Sequence, residues 1–114
     1  MLFANEYSCF YRATELRVMF KHIVMWRFKP DISQEDKSLM KDKLEGLIKS
    51  IPALISIEVG FNCALGDVYY DIALTTVFEN KLDYQSYADH PSHLEVVAFV
   101  RELVSDRAVV DYEL

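Results

Sequence analysis

The run Phe20 to Lys29 limits the fold more than any other, because it is β-rich and largely apolar on both of its alternating faces. His22, Val24, Trp26 and Phe28 fall on one face, and Ile23, Met25 and Arg27 on the other. A strand that is apolar on two sides has to be covered on two sides. Helices can supply one cover. In a chain of 114 residues, one small domain, the second cover comes most easily from a second copy of the same sheet.

The elements that follow supply the helices and the remaining strands. Pro30 and Asp31 end the first strand, and Ser33 followed by Asp36 marks an N-cap with an acidic first turn. Met40, Leu44, Leu47, Ile48 and Ile51 recur at helical spacing, with Lys37, Lys41, Asp42 and Glu45 opposite, which predicts an amphipathic helix stopped by Pro52. Leu54 to Cys63 alternates strictly, with Ile55, Ile57, Val59 and Phe61 on one side, and reads as a half-buried strand. A turn through Gly66-Asp67 leads to another strand, Tyr69 to Phe78. A short helix, Leu82 to Asp89, then breaks at His90-Pro91. A longer one buries Leu94, Val97, Val100 and Leu103, and Ala108 to Tyr112 forms a last strand. Strand, helix, strand, strand, helix, strand is the ferredoxin-like order. The predicted fold class is therefore α+β, a four-stranded antiparallel sheet with helices on one face and the other face in need of a partner.

Charge and cysteine usage narrow the function classes. The net charge is −6 with the acids distributed, which argues against a phosphate backbone or an anionic membrane surface as the partner. No stretch approaches the length of a transmembrane helix. Cys9 and Cys63 lack C-x-x-C spacing and read as free thiols in a reducing compartment. Residues 1 to 18 carry Phe3, Tyr7, Phe10 and Tyr11 without a clean period, and Asn5, Glu6, Ser8 and Arg12 interrupt any signal-peptide core. They read as an N-terminal extension to a domain over residues 19 to 114. The extension is either a misplaced start or a segment whose aromatics pack on the domain, and the expected location is the cytoplasm.

The chemistry-bearing stretch is Tyr87-Ala88-Asp89-His90-Pro91-Ser92-His93. Pro91 sits in the first turn of the longer helix, so His93 lies in that turn too. The partial positive charge of a helix N-terminus favours neutral imidazole, which can accept a proton. Tyr87, across the break, makes a plausible acid/base partner. The alternative is that His93 merely caps its helix. His22 reads either as a hydrogen-bonded core histidine or as a third catalytic group, and His90 as a structural tie at the break.

Tyr87-x-x-His90-Pro91-x-His93 with Val96 to Val100, the opening Phe20 to Val24 with Arg27 to Lys29, Ile51-Pro52-Ala53, and Asp71 to Leu74 leading to Phe78 together resemble the stress-responsive dimeric α/β-barrel (Dabb) family. The resemblance implies a homodimer whose two sheets close into a dimeric α+β barrel. It implies a stress-associated protein that acts by assembly or by holding a small apolar ligand between sheet and helices, with Val24, Trp26, Phe28, Ile72 and Phe99 as the expected pocket residues. It also admits a cofactor-free lyase, cyclase or oxygenase acting on a polyketide-like or aromatic substrate through His93, Tyr87 and His22. Those three match pocket positions of a plant polyketide cyclase in the family, whereas Leu44 and Ile72 stand where that cyclase has a tyrosine and a histidine. Similar proteins also hold a structural magnesium ion through main-chain carbonyls that match Ile48, Ile51 and Leu54.

Overall fold

The computed structural model describes residues 19–114, so the expectations for the leader lie outside the described residues. β1 (Phe20–Phe28) is central, flanked by β3 (Ile72–Phe78) and β4 (Val104–Glu113), with β2 (Ser56–Phe61) beyond β3. All pairings are antiparallel, and the sheet order is β2-β3-β1-β4. Three α-helices and a 3₁₀ turn cover one face: α1 (Gln34–Glu45), the turn Gly46–Lys49, α2 (Lys81–Asp89) and α3 (Pro91–Leu103). This is the ferredoxin-like arrangement expected from the order of elements.

The register of β1 explains its double apolar character. Phe20, His22, Val24 and Trp26 are buried beneath the helices, while Lys21, Ile23, Met25 and Arg27 point to the opposite face. That opposite face continues through Ala73, Thr75 and Val77 of β3 and Ala108, Val110 and Tyr112 of β4. Met25, Val110 and Tyr112 are exposed there, although a strand face of this composition ordinarily packs against something.

Each helix begins where its side chains satisfy the free N–H groups of the first turn. Ser33 Oγ accepts the Asp36 N–H at 3.0 Å for α1, and Asn80 Oδ1 accepts the Asp83 N–H at 2.8 Å for α2. α1 buries Met40 and Leu44. After Glu45 the winding tightens to 3₁₀, and each residue there advances about 120° instead of about 100°. Leu47 consequently falls above Leu44 and stays buried, but Ile48, expected in the same stripe, turns outward.

Three strand bounds differ from the alternation read in the sequence. β3 begins at Ile72 because Tyr69 closes a turn onto Gly66 and Asp71 is used as a tie, its carboxylate accepting the Phe28 N–H at 2.8 Å. β2 is shorter than its pattern, leaving Ile55 exposed before it. β4 is longer than expected, ten residues from Val104 to Glu113, paired with β1 along its length. Its start was hidden because Ser105, Asp106 and Arg107 form the polar margin of an edge strand. α3 passes straight into it, and the Lys29 N–H donates to the Leu103 carbonyl at 2.8 Å.

Candidate functional site

The break between α2 and α3 is built by its histidines. His90, not His93, caps α3: its Nδ1 accepts the Ser92 N–H at 3.0 Å, and Pro91 takes the first helical position, where no N–H is needed. His93 turns back across the break, with Nδ1 3.0 Å from the Ala88 carbonyl near the end of α2. A carbonyl can only accept, so Nδ1 carries the proton, and in the neutral ring Nε2 holds the free lone pair. Burial lowers the His93 pKa against the pull of that carbonyl, and His22, Arg107 and His90 push it the same way as burial. His93 is thus held as the neutral imidazole.

Tyr87 packs its ring against His93, with centroids 4.4 Å apart, and is fully buried. Its hydroxyl has no hydrogen-bond partner among the described residues. Burial, followed by the neighbouring Tyr84, raises its pKa, so the hydroxyl stays protonated. His22, on β1, lies opposite Asp111 of β4, and Nδ1 meets the Asp111 carboxylate at 2.5 Å. That carboxylate can only accept, so Nδ1 carries a proton toward it. Tyr84 stacks over His22 at 4.7 Å and over Phe20 at 5.1 Å. The tyrosine's own pKa is raised by burial and by the Asp111 charge.

These groups share one cavity of about 320 Å³ between α2, α3 and the β1 and β4 side of the sheet. This is near the lower end of the usual size of ligand pockets. His22, Tyr87 and His93 all line it, together with Val24 and Trp26 from β1 and Arg107 from β4. The remaining expected pocket residues lie elsewhere, and the reasons are geometric. Phe28 is past the cavity's end of β1, with Lys37 Nζ 5.1 Å from its ring centre. Ile72 is sealed in the core beneath α1. Phe99 sits off the stripe of α3 that faces the cavity and meets Lys43. Leu94, expected to be buried, is more than half exposed at the cavity's rim.

Of the polar residues at the site, Tyr84, Arg101 and Arg107 line the cavity and Asp111 holds His22, and none of these was expected there. Tyr84 precedes Tyr87 by three positions on one helix, a spacing that could have revealed it. Asp111 approaches His22 only through strand register, and Arg107 is placed by the unrecognised start of β4. Arg101 is one turn of helix beyond Val97, on the same face.

Ile48 lies within the 3₁₀ turn and Ile51 and Leu54 follow it, and the Ile51 carbonyl accepts the Leu54 N–H at 3.1 Å. Neutral carbonyls alone make a weak donor set for magnesium, which gives up its water reluctantly. Among the described residues no cluster of His, Cys, Asp or Glu side chains is arranged to hold a metal. Nor is any helix among the described residues long and apolar enough to cross a membrane.

A stress-response A/B barrel domain-containing protein of Arabidopsis thaliana is 29% identical to this chain over 96 residues, 82% of this chain and 84% of the relative. A dimeric protein of unknown function and ferredoxin-like fold from Bacteroides fragilis superposes with a TM-score of 0.74 at 36% identity, covering 84% of this chain and 96% of that one. A hydroxynitrile lyase from Passiflora edulis superposes with a TM-score of 0.78 at 18% identity, covering 84% and 93%, which shows a shared fold alone. Residues 20–114 match the family described as the Stress responsive A/B Barrel Domain, and with nearly the whole described fold inside that match, the chain belongs to this Dabb family.

Proposed function

We propose that this chain is a homodimeric stress-response barrel protein that binds a small, largely apolar molecule in the cavity between sheet and helices. The observation that carries the proposal is Tyr87, whose fully buried hydroxyl has no partner among the described residues and which lines a cavity whose apolar wall is interrupted by His22, His93 and two arginines. Leaving a buried hydroxyl unpaired costs about 1–3 kcal/mol, which a ligand oxygen at that place would remove. The dimer is supported by the apolar open face around Ile23, Met25 and Val110, and by structural relatives described as dimeric, one at 36% identity. Sedimentation of a stable monomer at micromolar concentration would remove that part.

The test is a thermal-shift panel of small alcohols, ketones and acids on the full chain. A ligand that binds only the folded state raises Tm, and at a hundred times its Kd stabilises by about 2.7 kcal/mol. Val97→Phe, which fills the cavity, should remove the shift while leaving a folded protein. Shifts that survive Val97→Phe, or a panel without any shift, sink the reading.

The neutral His93 favours a second reading, proton transfer without a cofactor. In it, His93 Nε2 takes a proton from bound substrate while the Tyr87 hydroxyl donates to the oxygen that gains charge. The same fold in Passiflora edulis belongs to a hydroxynitrile lyase. His93→Ala that keeps the ligand shift and loses turnover would separate this reading from binding alone.

A further inference from the structure

Resting on that reading of the cavity as a ligand site, we infer that its ligand is an apolar carboxylic acid bound as the anion, with the carboxylate held between Arg101 of α3 and Arg107 of β4. The inference begins with what the wall offers. Arg101 and Arg107 both line the cavity and both are exposed at its rim. Neither guanidinium has an ion-pair, hydrogen-bond or ring partner among the described residues. The acids that could have neutralised them are engaged elsewhere. Asp106, beside Arg107, pairs with Arg27 across the strands at 3.5 Å, and Asp111, on the same face of β4, is taken by His22. Two unpaired arginines at one opening run against the sign of a chain whose net charge is −6.

The second observation is independent and lies deeper. The Tyr87 hydroxyl is fully buried and unpartnered on the same wall. A guanidinium can only donate, and the phenol offers a donor as well. The two guanidinium groups and the phenol thus outnumber the acceptor at His93 Nε2, and this donor capacity is one that a hydrocarbon or an ammonium group cannot use and an oxygen-bearing anion can. Between the two polar ends the lining is aliphatic and aromatic: Val24, Trp26, Leu74, Val97 and Val100. His93 and Arg101 are eight positions apart on α3, about 12 Å along its axis. A ligand that reaches from the arginines toward Tyr87 is thus elongated, a medium-chain or short aryl-alkyl acid. A planar guanidinium fork suits a carboxylate in particular, through paired N–H donors.

The test uses the full chain and matched pairs that differ only in the acid group: octanoate with octanol, and 4-phenylbutyrate with 4-phenylbutanol, titrated by calorimetry. Each acid should bind at least about tenfold tighter than its alcohol, as expected for a hydrogen bond to a charged group. Arg101→Gln with Arg107→Gln should bring the acids down to the affinity that the alcohols show in the same variant and leave the Tm of the free protein unchanged. Equal affinity of acid and alcohol overturns the inference and leaves the cavity reading standing. Acids that keep their advantage in the double variant overturn it as well, because the anion is then held elsewhere. Failure of both acids to bind overturns it, and any neutral ligand from the thermal-shift panel would show that the cavity itself is still a ligand site.

Discussion

The layer between sheet and helices is closed at one side and hollow at the other. Over β2 and β3, beneath α1, Met40, Val59 and Ile72 are almost wholly excluded from solvent and belong to one continuous apolar cluster. Over β1 and β4, beneath α2 and α3, the facing positions carry His22, Tyr87, His93 and Arg107, and a cavity of about 320 Å³ remains. Both sides are built from the same kinds of element, and both helical layers have a buried stripe. What separates them is side-chain chemistry. Aliphatic side chains interdigitate to crystal-like density, whereas rings held by directed hydrogen bonds, to Ala88 and to Asp111, cannot move to fill space. The closed side sets stability, and the hollow side gives up packing in return for an accessible, chemically defined wall.

Substitutions at matched depth in the two sides should therefore act in opposite directions. Met40→Ala, on the closed side, should lower the unfolding free energy by about 2–5 kcal/mol, the range for truncating a buried Met or Leu. Chemical denaturation would measure it, and a loss under 1 kcal/mol would mean that this side is not tightly packed. Tyr87→Phe, equally buried but on the hollow side, should raise stability by about 1 kcal/mol, since it removes an unpartnered hydroxyl and keeps the ring against Phe78 and His93. A clear destabilisation by Tyr87→Phe would show that the hydroxyl is satisfied and would erase the contrast.

The smallest effect is on pH dependence. The His93 pKa is depressed in the fold, while in the unfolded chain the ring takes up a proton near its ordinary value of 6.5. Between the two values the unfolded state binds more protons, so His93 contributes stability that is present above pH 6.5 and is lost as pH falls through its folded value. His93→Gln should flatten the decline in unfolding free energy between pH 7 and pH 5.5. A parent and variant with equal slopes would show that His93 titrates normally.

How far each part was legible follows from what kind of information placed it. β1 could be read because burial on both faces leaves its mark residue by residue, and the α2–α3 break because Pro91 and the spacing of His90 and His93 are local chemistry. The capping role went to His90 because only geometry tells which of two histidines reaches a first-turn N–H. The 3₁₀ winding after Glu45 has no periodic signature over so short a stretch, so Ile48 was assigned to the wrong side. Asp111 and Arg107 were out of reach for a different reason. Asp111 reaches His22, and Arg107 the cavity wall, through pairing with a strand more than 80 residues earlier, and a polar edge strand gives no alternation from which to read its register. The pocket was expected over Val24, Trp26, Phe28, Ile72 and Phe99, and only the first two of these line the cavity. It formed instead where polar side chains prevent closure.

The junction of α3 with β4 ties one end of the cavity to the sheet. No residue intervenes between Leu103 and Val104, and the Lys29 N–H clamps the Leu103 carbonyl to the end of β1. Mechanically, α3 is a cantilever anchored at its C-terminal end in the sheet. Arg101 and Arg107 stand close to the anchor, and the other end of the helix begins where the chain turns at His90-Pro91. The cavity therefore has the sheet-anchored end of α3 on the side of the arginines, and on the other the hydrogen bond of His93 to the Ala88 carbonyl.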